Sequence, residues 1–161
     1  MKEYWKETSG MKPMPLALLL ALAASLPAQA QDTADAVARM VVEARGICAS
    51  ENGVFNADGA VTEIDLTGDG APDALVDESL FACSPGASPY CGSGGCTLHA
   101  VIDGKSFTFQ AEGWRMIDWG GRPILLIARD GGWCGGAGAQ GCFEAVVWSH
   151  GDMLTVMPPV E

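Results

Sequence analysis

All six cysteines, Cys48, Cys83, Cys91, Cys96, Cys134 and Cys142, lie downstream of an N-terminal segment that carries the marks of an export signal. No other feature constrains the fold as much, because an even cysteine count in an oxidising compartment reads as a disulfide framework. In the leader, Lys12 starts a basic region, Leu16 to Leu26 runs apolar, and Ala28-Gln29-Ala30 supplies the small residues at which a signal peptidase cuts. Residues 1–30 are therefore expected to be a signal peptide and 31–161 a single domain, periplasmic or secreted. Met11 opens a complete signal on its own, so residues 1–10 read as a start-site artefact or an extended basic region. An apolar run of about eleven residues falls well short of the roughly twenty that span a bilayer, so no membrane insertion is expected after cleavage. The first cysteine, Cys48, is too distant from the cut to become a lipidated N-terminus.

Six cysteines allow fifteen pairings, and spacing alone does not choose among them. The expected set is two local staples, Cys91 to Cys96 and Cys134 to Cys142, with Cys48 to Cys83 tying down the N-terminal element. A metal-thiolate site competes poorly, since the spacings are C-x4-C and C-x7-C rather than paired C-x2-C. The same absence of C-x-x-C gives a thioredoxin-like redox role no support.

Asp32 or Thr33 can cap a helix of about fourteen residues in which Val37, Met40, Val41 and Ala44 form an apolar stripe, ending near Arg45 and Gly46. Strand signals fill the rest. Ala60 to Leu66 and Ala74 to Val76 flank an acidic loop, and Thr97 to Ile102 returns through the turn Asp103-Gly104 as Ser106 to Gln110. Trp114 to Asp118, Ile124 to Ala128, Phe143 to Trp148 and Met153 to Met157 complete the series. The predicted architecture is α+β: one N-terminal helix packed on an antiparallel sheet or small barrel of about 6–8 short strands, disulfide-stapled. No βαβ alternation exists, and no helix follows the Gly-rich stretches Gly92 to Gly95 and Gly131 to Gly141, so phosphate cradling is not expected.

The formal net charge of −11 becomes −12 once the leader's three lysines and two acids are gone, which argues against nucleic acid as a partner. Between Arg45 and Lys105 there is no Lys or Arg at all, while Glu51, Asp58, Glu63, Asp65, Asp69, Asp73, Asp77, Glu78 and Asp103 fall in that interval. Within it, Asp65 to Asp73 reads D-L-T-G-D-G-A-P-D. Alternating oxygen side chains in a tight loop suit a hard cation such as Ca²⁺, which takes six to eight oxygens. An EF-hand fits badly, because Val76 stands where the bidentate Glu belongs and the flanks read as strands. A plain hairpin turn would also use these Asp and Gly residues.

Ile64 to Val76, I-D-L-T-G-D-G-A-P-D-A-L-V, resembles the calcium loop of FG-GAP and VCBS repeats, where a D-x-[DN]-x-D-G-x-x-D segment joins two strands. That resemblance implies ligation by the side chains of Asp65, Thr67, Asp69 and Asp73 and the carbonyl of Ala71. It covers one copy, too little for a propeller. Together with C-G-S-G-G-C at Cys91 to Cys96 and the run Trp133 to Cys142, the loop is similar to small uncharacterised exported proteins of alphaproteobacteria, a group that implies no activity.

No catalytic residue stands out. His99 alternates with Leu98, Ala100 and Ile102 and reads as a solvent-facing strand position, and His150 sits in a turn. Ser93 in C-G-S-G-G lacks a nucleophile elbow, and no acid pair is singled out for glycoside hydrolysis. Of Trp114, Trp119, Trp133 and Trp148, most are expected in the core, with Trp119 beside Gly120-Gly121 the candidate ligand contact. The expected role is non-catalytic binding at the cell envelope, to a protein or a glycan, with Ca²⁺ stabilising the loop. Inhibition of an extracytoplasmic lysozyme or protease is the first alternative, since an acidic rigid surface suits a basic target. A hydrolase using a carboxylate pair is the second.

Overall fold

The computed structural model describes residues 28–156 except Pro85, Ala87 and Ala139. The leader as far as residue 27 and the end of the last expected strand at Met157 lie outside the described residues. Among the described residues one α-helix, α1 (Ala28–Ser50), precedes eleven strands. These are β1 (Val54–Asn56), β2 (Val61–Ile64), β3 (Asp73–Asp77), β4 (Ala82–Ser84), β5 (Cys91–Gly92), β6 (Gly95–Ile102), β7 (Lys105–Ala111), β8 (Gly113–Asp118), β9 (Pro123–Arg129), β10 (Cys142–Ser149) and β11 (Asp152–Thr155).

The α+β architecture and its antiparallel pairing are as the sequence predicts, but the strands exceed the expected 6–8, with eleven in three sheets. The additional ones, β1, β4 and β5, span three, three and two residues, too short to show a period-2 pattern. Helix α1 is also longer than expected, at 23 residues. It runs through Gly46 to Ser50 because Cys48 is fully buried and bridged to Cys83, which fastens the last turn to β4.

Sheet order explains the layering. In one sheet β2 pairs β3, β3 pairs β6, and β6 pairs both β5 and β7; a second sheet runs β11-β10-β9-β8. Alternation along β6 sends Leu98, Ala100 and Ile102 into a core shared with Leu125 and Ile127 of β9 and Val146 of β10. The opposite face of the same sheet presents Ala74, Val76 and Val101 to α1, where Ala36 and Ala44 are buried and Val37, Met40 and Val41 pack. The molecule is thus helix on sheet on sheet, and β3 is buried over Asp73 to Val76 because both its faces are covered. The cysteines pair as Cys48–Cys83, Cys91–Cys96 and Cys134–Cys142, and no cysteine is free. Bridging in this way is typical of proteins outside the cytoplasm. Among the described residues no helix is long and apolar enough to cross a membrane.

Candidate functional site

The acidic loop joins β2 to β3, two paired strands in which Ile64 faces Asp73 across the ladder. Its turns are held by carboxylates. Asp65 accepts from Gly68 N–H at 2.6 Å through Oδ1 and from Gly70 N–H at 2.9 Å through Oδ2, while the Thr67 hydroxyl donates to Oδ1 at 3.3 Å. Asp73 Oδ2 accepts from the N–H groups of Leu66 at 2.9 Å and Thr67 at 3.2 Å, and Asp69 Oδ1 from Ala71 N–H at 2.7 Å. Gly68 and Gly70 take positive φ, 78° and 85°, which bends the chain around Asp65.

The two anchoring aspartates titrate in opposite directions. For Asp65, burial pushes the pKa up, but N–H donors from Gly70 and Gly68, the Thr67 hydroxyl and Asp69 N–H outweigh it and hold the carboxyl below the usual range. Burial raises Asp73 instead, against the opposing bonds from Leu66 and Thr67 and with further upward push from the negative charges of Asp69 and Asp65. Three carboxylates therefore feel one another, and no ion pair with a basic side chain compensates them among the described residues.

Of the expected ligands, Asp65 and Thr67 are half-buried, Asp69 is exposed, Asp73 is buried and Ala71 is half-buried, all within this one loop. The donor set is all oxygen, which suits a hard cation. The carboxylates are not drawn into a closed cage, since no group of three His, Cys, Asp or Glu close enough to hold a metal ion occurs among the described residues.

The structure brings a second sequence candidate to the loop. Residues 118–123 form the β8–β9 turn, in which Trp119 and Arg122 exchange backbone bonds and Gly120 and Gly121 take positive φ of 63° and 82°. A Cβ on Gly68 would stand 3.2 Å from Pro123 Cδ, so the acidic loop lies directly against this hairpin. Between them is a crevice of about 450 Å³ whose walls include Asp65, Gly68, Ile117, Asp118 and Pro123. Trp119 is 76% exposed at the tip. Trp114 and Trp148 pack against the inter-sheet core, as expected of most tryptophans, whereas Trp133 is half exposed and lies over the Arg129 guanidinium at 4.3 Å.

One expectation is corrected. His99 does not face solvent: its side chain is 15% exposed and bonded on both ring nitrogens, Nε2 to Glu78 Oε1 at 3.0 Å and Nδ1 to Ser106 Oγ at 3.2 Å. Alternation had placed His99 on the face opposite Leu98 correctly. What it could not reveal is that α1 and the 3₁₀ turn Glu78–Leu80 cover that face. Glu78 lies at the end of β3 and Ser106 on β7, so no local sequence signal joined the three. The chain matches no protein-family model, no curated protein and no solved structure.

Proposed function

We propose that the protein acts by binding at the cell envelope after export, through a calcium-stabilised surface formed by the Asp65 to Asp73 loop and the Trp119 hairpin. The observation that carries this reading is the seating of the acidic loop against the hairpin, with Asp65 and Asp118 lining one crevice. In this reading Asp65, Thr67, Asp69 and Asp73 contribute side-chain oxygens to Ca²⁺ and Ala71 its carbonyl. The ion neutralises carboxylates that have no basic partner, and in doing so fixes the wall of the crevice. Trp119, next in the chain to Asp118 of the crevice wall, supplies an exposed aromatic face suited to a sugar ring or an apolar side chain, and the negative wall suits a cationic group.

The test combines calorimetry with tryptophan fluorescence. Ca²⁺ at a hundredfold excess over its Kd is expected to add about 2.7 kcal/mol of stability. Asp69→Ala, at an exposed loop position, is expected to abolish that gain. Cell-wall fragments or a basic envelope protein should quench Trp119, and Trp119→Ala should remove the quenching. Equal melting temperatures in millimolar Ca²⁺ and in chelator would remove the metal from the reading, and fluorescence indifferent to both ligand classes would remove the binding surface.

A further inference from the structure

The geometry points to a second site, a serine esterase centre in which Ser106 is the nucleophile, His99 its general base and Glu78 the group that orients the base. It is independent of the acidic loop. In the neutral imidazole, a Glu78 carboxylate accepting at His99 Nε2, 3.0 Å away, places the ring proton on Nε2. Nδ1 is then the free acceptor, 3.2 Å from the Ser106 hydroxyl, which must donate to it. A hydroxyl bonded to a base that a carboxylate orients is the signature of an activated nucleophile, recognised by roles rather than by order in the chain. Here the imidazole is used in reverse, with Nδ1 rather than Nε2 on the hydroxyl.

The backbone adds an anion-stabilising donor. Asp103 and Gly104 form a two-residue turn with φ of 50° and 74°, so Ile102 and Lys105 are a hydrogen-bonded pair and Val101 and Ser106 are not. The Ser106 N–H is thereby turned away from β6, toward the edge of β7, which pairs with no other strand among the described residues. A tetrahedral oxyanion formed on Ser106 Oγ would lie beside that N–H. Next to His99 a crevice of about 300 Å³ opens between α1 and the sheet, with Met40, Ile47, Pro89 and Tyr90 as apolar walls and Glu43 and Glu78 as acidic ones. Ser106 is exposed and lies outside that lining, so its hydroxyl is open to short, activated esters from solvent, and the acidic Glu43 and Glu78 beyond His99 disfavour anionic ones.

In the first half-reaction the Ser106 Oγ–acyl bond forms, the ester C–O bond breaks, and the Ser106 proton passes through His99 to the leaving alcohol. In the second, water adds to the acyl group, gives its proton to His99 and releases the acid as that proton returns to Ser106.

The test uses the full mature protein with a fluorophosphonate probe and p-nitrophenyl acetate. One adduct per chain is expected, mapped to Ser106, with labelling and turnover lost in Ser106→Ala, a change at an exposed position that leaves the fold intact. His99→Gln is expected to slow acylation by about 10²–10⁴, and Glu78→Gln to lower kcat with KM unchanged. His150→Gln, which removes the other histidine, is expected to change nothing. An adduct elsewhere, no adduct, or turnover that survives Ser106→Ala would each overturn the assignment.

Discussion

Two carboxylates are buried to the same degree and held in opposite ways. Glu144 on β10 is 4% exposed and accepts from Arg129, with Nε at 2.6 Å and Nη2 on the same oxygen, while Nη1 reaches the Gln110 carbonyl. Arg129 is itself 4% exposed and lies beneath the Trp133 ring. Asp73 on β3 is 5% exposed and has no cation, only two backbone amides and two neighbouring aspartates. Glu144 is compensated by a partner the chain supplies, and its network closes without anything from outside. The Asp73 loop is satisfied in hydrogen bonds yet uncompensated in charge, the property on which the proposed cation binding rests.

Arg129→Met leaves Glu144 buried without a counter-charge and is expected to cost about 3–5 kcal/mol in denaturant unfolding. Adding Glu144→Leu to that variant should recover most of the loss. If the single substitution is mild, the pair is not what holds β9 to β10 beyond their ladder.

At Asp73 the expected cost is smaller and depends on which property is removed. Asp73→Ala strands the N–H groups of Leu66 and Thr67, and an orphaned buried donor costs about 1–3 kcal/mol. Asp73→Asn keeps an acceptor for both and discards a charge that burial penalises, so in chelator at neutral pH it should be slightly more stable than wild type while losing the gain from Ca²⁺. Urea melts of the two variants with and without the ion separate amide bonding from charge.

The smallest effect lies in pH. Because the folded state raises the Asp73 pKa above its unfolded value, its ionised form opposes folding at neutral pH, and that opposition is relieved as pH falls through the raised value. Asp65 has the opposite sign, giving stability above the ordinary carboxylate range that is lost as pH falls through its lowered value. Wild type is therefore expected to gain on Asp73→Asn between pH 7 and pH 4, with both losing stability below. A constant difference across that range would show that Asp73 carries no folding-linked proton.

Much of the fold was legible locally. The α1 stripe of Val37, Met40, Val41 and Ala44, the hairpin at Asp103-Gly104 and the β8–β9 turn at Gly120-Gly121 each follow from periodicity or turn chemistry within a few residues. The three cystine pairs match the expected set, in which two close over short loops and the third joins the helix end to β4. The short strands β1, β4 and β5 were not legible, because pieces of two or three residues are defined by what they pair with.

The chain by itself determined the α+β class, the disulfide potential, the acidic loop at Asp65 to Asp73 and the exposed Trp119 turn, all of which depend on neighbours in sequence. Tertiary structure alone decided that the loop rests on the Trp119 hairpin, and that His99 meets Glu78 and Ser106 rather than water. Period-2 alternation fixes which residues share a face of a strand. Only the packing of distant elements decides what covers that face, since this depends on contacts far apart in the chain that no local pattern encodes.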